Sequence, residues 1–169
     1  MLSNLDIDIR KGVQSLLTPD EMVDICDVVL SEEGVTRPCY VSVSVVSDDE
    51  IAQLNAQWRE KNGPTDVLSL ECERPDDPDL APDEPCELGD IVLASAYITR
   101  QAAGFGTTAA DECRLLFVHG LLHLLGYDHL EDSEAEVMEA REDELLGMLH
   151  TDASLREVRL TRHKGDDDV

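Results

Sequence analysis

Three of the chain's five histidines fall within one eleven-residue stretch, HGLLHLLGYDH at residues 119–129. An α-helix turns about 100° per residue, so side chains four positions apart lie on the same face, one turn from each other. The stretch therefore predicts a helix that carries His119 and His123 side by side. Gly126 is suited to end that helix and reverse the chain, which would bring His129 back toward the first two rings.

This spacing is typical of a metal site. Three imidazole nitrogens leave a fourth position open on one divalent ion, as in catalytic zinc sites. Because imidazole ligands are neutral, the ion keeps its charge, lowers the pKa of a bound water to about 7 and polarises a carbonyl or phosphoryl oxygen. A lone histidine in an apolar segment is more often a hydrogen-bonded core residue, but three with a glycine at the turn favour the metal interpretation. We predict one Zn²⁺ per chain, bound by His119, His123 and His129, and a hydrolytic reaction on either a peptide or a phosphodiester.

Position 120 bears on that choice of substrate. Metzincin proteases share the histidine spacing, and the residue after their first histidine is a glutamate that acts as general base. Here that position is Gly120, which has no side chain to carry a proton. A peptidase would have to recruit its base from elsewhere, so the sequence argues against a metalloprotease.

The formal net charge of −25 limits the partners that the chain can bind. Such a surface repels polyanions at long range, so charge alone argues against a nucleic-acid partner and suits a basic protein. Arg59 and Lys61 could still form a local basic patch. An arginine fork can hold a phosphate, whereas the alternative is a solvated helix end whose cations complement the helix dipole.

Composition also indicates the compartment and the class of protein. The five cysteines are odd in number and form no C-x-x-C pair, which is typical of reduced thiols in a cytosolic protein. The first residues lack the pattern of a signal peptide, and no apolar run approaches the roughly 20 residues that span a bilayer. We expect a cytoplasmic protein that does not enter a membrane.

Other residues near the histidines are weaker candidates. Cys113 lies six positions before His119 and so on a different face of the predicted helix, which argues against it as a ligand. Arg114 is predicted at the surface. Glu112 lies seven positions before His119, on nearly the same face, and either supports the site or is exposed to solvent.

Hydrophobic periodicity and capping residues predict an α+β fold. We expect a single domain with a mixed β-sheet of about four strands covered by helices, and a core of Leu, Val, Ile and Ala because aromatics make up only 4% of the chain. Residues 1–155 should form this domain, and 156–169 an acidic, flexible C-terminal tail. The predicted strands are 5–9, 40–45, 67–70 and 90–94, and the predicted helices are 19–33, 48–58, 95–103, 109–125 and 133–149, the last burying Val137, Leu145, Leu146 and Leu149.

Several segments together resemble one family. The segment 119–129 is similar to the signature of the YbeY family of bacterial rRNA maturation factors. PTDVLS at 64–69 and LGDI at 88–91 are similar to two further motifs, and Leu54-Asn55 and Trp58-Arg59 precede them at the family's spacing. The resemblance covers about residues 40–149. The chain departs from the pattern at Leu70-Glu71, at Trp58 and in the acidic, proline-rich loop 75–85.

The resemblance implies a single-strand-specific, metal-dependent endoribonuclease that acts in 16S rRNA 3′-end maturation and ribosome quality control. It implies zinc ligands at His119, His123 and His129, and it raises Arg59 from a solvated cation to a catalytic candidate near the site. The implied partners are single-stranded ribosomal RNA and the ribosome or a ribosomal protein. The alternative is a non-catalytic, zinc-containing ribosome assembly factor that binds a ribosomal protein.

Overall fold

The computed structural model describes residues 2–128 and 131–149, and in that part of the chain it contains four strands and five helices. The strands are β1 (Ser3–Ile9), β2 (Cys39–Val46), β3 (Val67–Glu71) and β4 (Cys86–Ala94). The helices are α1 (Pro19–Glu32), α2 (Asp48–Arg59), α3 (Ser95–Phe105), α4 (Ala109–Leu124) and α5 (Asp132–Met148).

The strands form one mixed sheet in the order β1-β2-β4-β3. The strands β1, β2 and β4 run parallel, while β3 pairs antiparallel with β4 and leaves its other side as an edge. This architecture confirms the predicted α+β fold with a mixed sheet of about four strands. Strand β4 begins at Cys86, four residues before the start predicted from the sequence.

Hydroxyl side chains begin three of the helices where the sequence predicted. Thr18, Ser47 and Thr108 each accept a hydrogen bond from the backbone N–H three residues later. These bonds satisfy donors that the first turn of a helix leaves without an intrahelical partner. The third cap sets the start of α4, and with it the positions of the histidines on that helix.

The two faces of the sheet are covered by different helices. Successive strand residues point to opposite faces, so Ile91 and Leu93 join the large core cluster with α1, α4 and α5, while Val92 and Ala94 join a smaller one with α2. Leu, Val and Ile dominate the buried residues, as predicted. The histidine helix α4 is almost entirely buried within the large cluster.

The prediction that Val137 lies in the core is wrong. Val137 is 61% exposed, whereas the adjacent Met138 is fully buried. Met138 lies seven positions before the buried Leu145, which is nearly two whole turns, so the two side chains share a face of the helix. Val137 lies eight positions before Leu145, so its side chain points about 80° away from that face. Leu145 and Leu146 are buried and Leu149 packs partly against the cluster, as predicted.

None of the helices between residues 2 and 149 that the structure describes has the length and apolar character needed to cross a membrane. The predicted tail, 156–169, lies outside the described residues, as does the end of the predicted domain.

Candidate metal centre

His119 and His123 lie one turn apart on α4 with their outer ring nitrogens facing each other. The two Nε2 atoms are 3.1 Å apart, the ring centroids are 4.5 Å apart and the rings are nearly perpendicular, at 86°. His119 is only 1% exposed, whereas His123 is partly open. The predicted helical spacing thus brings both imidazoles together at the margin of the core.

The inner nitrogen of each ring has a hydrogen-bond partner of its own. His123 Nδ1 is 2.9 Å from the carbonyl oxygen of Tyr127, and His119 Nδ1 is 2.7 Å from Glu142 Oε2. A carbonyl oxygen only accepts hydrogen bonds and an ionised carboxylate does the same. Each Nδ1 therefore donates, which leaves the lone pair of a neutral imidazole on each Nε2.

Two such lone pairs directed at each other across 3.1 Å repel unless a positive charge lies between them. A divalent ion bound at the usual Zn–N distance of about 2.0–2.1 Å from each nitrogen fits that requirement. Metal-bound histidines also usually donate their second N–H to a carboxylate or a backbone carbonyl, and both histidines here do so. The donor set therefore fits zinc, with His119 and His123 as the residues that would hold it.

The third predicted ligand, His129, lies outside the described residues. Within residues 2–128 and 131–149, no group of three or more His, Cys, Asp or Glu side chains is arranged to hold a metal ion. The role of all three histidines as ligands stays a prediction.

Gly126 ends α4 as the sequence predicted. It adopts a left-handed conformation with φ of 109°, and its N–H donates to the carbonyl of His123 while the N–H of Tyr127 donates to the carbonyl of Leu122. This pair of bonds is a Schellman motif, which uses a glycine to reverse the chain. The reversal also brings the Tyr127 carbonyl onto His123 Nδ1, so one turn both ends the helix and fixes the ring.

Gly120 faces the sheet and not the histidine pair. A Cβ at this position would lie 3.0 Å from Ser69 Oγ on β3 and 3.4 Å from Ile91 Cδ1 on β4. A glutamate there would crowd the Ser69 and Ile91 side chains and would start toward the sheet, whereas the general base of the metzincin proteases must reach the metal. The close approach also places β3 directly against the turn of α4 that carries His119.

Glu142 is the site residue that sequence reasoning missed. It lies on α5, 23 positions after His119, and its side chain is fully buried. A buried carboxylate requires a hydrogen-bonded partner, and the His119 ring supplies one. A signal was present in the sequence, since Glu142 lies four residues after Met138 and three before Leu145, in the middle of the apolar face of α5.

Two further residues near the histidines are at least partly buried. Cys113 lies in the core, and burial raises the pKa of its thiol to about 12, while its rejection as a ligand stays a prediction. Arg114 was predicted at the surface, but its side chain is only 26% exposed because it forms ion pairs with Glu21 and Asp111.

Glu112 is fully buried, so the alternative that placed it at the surface is wrong. Its Oε2 accepts a hydrogen bond of 2.7 Å from Gln101 Nε2, which also donates to Asp66 Oδ2 at 2.9 Å. Asp66 in turn accepts from the N–H of Val67 at the start of β3. These bonds connect α3, α4 and the segment before β3, and so fix the strand that lies beside Gly120.

Arg59 lies in the last turn of α2 and is half-buried. The loop that follows it leads into β3, the strand that approaches α4 at Gly120. Arg59 itself lies on a helix that packs with the smaller core cluster, whereas the histidine helix packs with the large one, and the catalytic role of Arg59 stays a prediction.

Comparisons with known proteins agree with one another. The family model described as Endoribonuclease YbeY matches residues 8–150. Proteins named Endoribonuclease YbeY from Francisella tularensis subsp. novicida and Francisella philomiragia are 37% and 35% identical over 150 and 149 residues, covering 88% of this chain and 91% and 93% of those proteins. The solution structure of TM1509 from Thermotoga maritima is 27% identical, with a TM-score of 0.54, over 98% of this chain and 97% of that one.

Proposed function

The chain belongs to the endoribonuclease YbeY family, and from that premise we propose that it is a zinc-dependent endoribonuclease that cleaves single-stranded RNA. The main observation behind this proposal is that the Nε2 atoms of His119 and His123 lie 3.1 Å apart while each Nδ1 is hydrogen-bonded to an oxygen. The family gives the substrate class, and this pair supports a metal centre as the means of cleavage.

The site divides its tasks among a few residues. His119 and His123, with His129 as the third predicted ligand, would hold the ion, which when bound would supply a Lewis acid for the phosphodiester and lower the pKa of water. Glu142 and the Tyr127 carbonyl keep the protons of the two rings on Nδ1, so that both Nε2 atoms remain available as donors. Arg59 would hold a substrate phosphate through its guanidinium fork.

We place this activity in the maturation of ribosomal RNA, including the 3′ end of 16S rRNA, and in ribosome quality control. This proposal gives the protein a cytoplasmic location and the ribosome or a ribosomal protein as a partner. The net charge of −25 supports such a partner, because an acidic surface attracts a basic ribosomal protein and can be brought to RNA through it.

The test is an RNA cleavage assay with the purified full-length chain. We expect zinc-loaded protein to cut a single-stranded oligoribonucleotide and spare its duplex, a chelator to stop the reaction, and added zinc to restore it. Replacing His123 with alanine should abolish cleavage, while the same change at His163, in the predicted tail, should leave it intact. Cleavage that persists in chelator or in the His123→Ala variant would contradict the proposal.

A second candidate function is a non-catalytic assembly factor in which zinc stabilises the fold. The acidic surface favours it, since it suits a basic protein better than RNA. It predicts a zinc-loaded protein that binds a purified basic ribosomal protein and leaves every RNA substrate uncut, with zinc restored.

A further inference from the structure

The apolar side of α2 extends beyond the part that the sheet covers. Ile51, Leu54 and Trp58 follow one another at helical spacings of three and four. Ile51 is fully buried and Leu54 packs against the smaller core cluster, but Trp58 is 58% exposed. A large aromatic side chain in line with buried residues thus lies uncovered at the end of the helix, next to Arg59.

The sequence next to this indole is poor in acid for this chain. Glu60 is the only acidic residue between positions 51 and 65, a stretch that also contains Arg59 and Lys61. This stretch therefore carries a net positive charge in a protein whose net charge is −25. Its two cations are groups that attract a phosphate.

The segment after Trp58 is held in a defined conformation. Glu60 adopts a left-handed conformation with φ of 57°, and the backbone N–H groups of Glu60 and Lys61 both donate to the carbonyl of Asn55. The Asn55 side chain donates to the carbonyl of Gly63 at 3.0 Å. The indole and the neighbouring cations are thus presented from a fixed helix end, which lowers the entropy lost on binding.

We propose that Trp58 is a stacking platform for an unpaired base of single-stranded RNA, with Arg59 on the adjacent phosphate. The inference rests on the proposed function and adds a means by which the protein would recognise its substrate. An aromatic ring beside cations is the usual way to bind single-stranded nucleic acid, because every base offers a π-face. A duplex hides those faces within its own stack, so the platform favours single strands.

Stacking also answers the difficulty that the net charge creates. Phosphate contacts alone weaken steeply as salt rises, and this chain has few cations to make them. Contact between a base and an indole does not depend on net charge. We expect the affinity for a short single strand to fall more when Trp58 is replaced by alanine than when the salt concentration is raised.

The chain contains a single tryptophan, so its fluorescence reports on Trp58 alone. The experiment titrates zinc-loaded full-length protein with a single-stranded oligoribonucleotide, its duplex, and an abasic phosphodiester chain of equal length, and RNA integrity is checked on a gel afterwards. We expect the single strand to quench the emission, and the duplex and abasic chain to leave it unchanged.

Variants extend the test to affinity. Trp58→Ala should weaken binding of a labelled single strand about tenfold or more, and Trp58→Phe, which keeps an aromatic face, should weaken it less. Val137→Ala is the matched control, since it removes an apolar side chain of similar exposure from α5, and it should bind as the original chain does. Circular dichroism confirms that each variant is folded.

The outcomes separate this inference from the proposed function. Quenching by the single strand without cleavage would support the platform and contradict the nuclease proposal. Cleavage without quenching, or with equal quenching by the abasic chain, would overturn the platform and leave the nuclease intact. An affinity of Trp58→Ala equal to that of Val137→Ala would also overturn it.

Discussion

The Nδ1 atom of His119 on α4 lies 2.7 Å from Oε2 of Glu142 on α5, and water reaches almost none of either side chain, which are 1% and 0% exposed. A carboxylate in this position fixes the ring's orientation and its tautomer. Because the bond joins two helices, the geometry of the histidine pair depends on how α5 packs against the core.

We expect Glu142→Ala to weaken zinc affinity by about 10- to 100-fold, the range found when a hydrogen-bond partner of a metal-bound histidine is removed. Glu142→Gln should weaken it less, since the amide oxygen still accepts from Nδ1. Competition with a chromophoric chelator measures the affinity, and NMR of the imidazole nitrogens shows which one carries the proton.

Glu144 supplies the control for this prediction. It lies on the same helix, its side chain is 61% exposed, and it pairs with Arg141 at the surface. Glu144→Ala removes the same charge and should leave zinc affinity unchanged. If Glu142→Ala also leaves it unchanged, Glu142 has no influence on the site.

The sequence predicted the paired histidines because the helical period alone places residues 119 and 123 on one face. It did not reveal Glu142, because that contact joins residues 23 positions apart and exists only once α5 folds back on α4. The prediction for Val137 was wrong for a different and local reason, because helical geometry aligns Met138, and not Val137, with the buried Leu145.

Gly89 on β4, within the LGDI motif at 88–91, lies where a side chain would clash with the neighbouring strand. Its φ is 145°, and a Cβ there would lie 2.2 Å from the backbone carbonyl oxygen of Leu70. We expect Gly89→Ala to lower the free energy of unfolding by about 3 kcal/mol or more, from backbone strain and overpacking together. Urea denaturation measures the change.

Gly104 on α3 provides the matched change in an open place, because a Cβ there meets nothing within 4 Å. Gly104→Ala should raise the free energy of unfolding by up to about 1 kcal/mol, through helix propensity. Equal effects of the two substitutions would show that Gly89 tolerates a side chain.

The cysteines should differ sharply in reactivity. Cys72 is exposed, while the other four are buried free thiols, namely Cys26, Cys39, Cys86 and Cys113. Burial raises the pKa of three of them, Cys26, Cys86 and Cys113, to about 12, so few thiolates form near neutrality. We expect a disulfide reagent to titrate one thiol in the folded protein, five in denaturant, and none in folded Cys72→Ser.

The same shift predicts a loss of stability in alkali. Burial raises the pKa of Cys113 to about 12, whereas an unfolded thiol titrates near 8.5. Above about pH 8.5 the unfolded chain therefore holds fewer protons, and stability falls until the pH reaches about 12. From pH 8 to pH 10 the free energy of unfolding should fall by about 2 kcal/mol less in Cys113→Ala than in the original chain. In Cys72→Ala it should fall as much as in the original chain. Parallel losses in all three proteins would contradict the shift.

The predicted roles of His129 and Arg59 concern a bound ion and a bound substrate. His129 lies outside the described residues, and Arg59 would act on a substrate. Spacing and resemblance predict both roles, but coordination and phosphate binding are properties of the loaded complex. Gly126 is different, because the turn it makes is a local backbone property that the sequence could predict, and the structure confirms it.

Zinc content by elemental analysis tests the central claim most directly, applied to the purified full-length chain, to His123→Ala and to His163→Ala. The account predicts about one zinc per chain in the original protein and in His163→Ala, and close to none in His123→Ala. One zinc per chain retained by His123→Ala, or none in the original protein after loading, would contradict it.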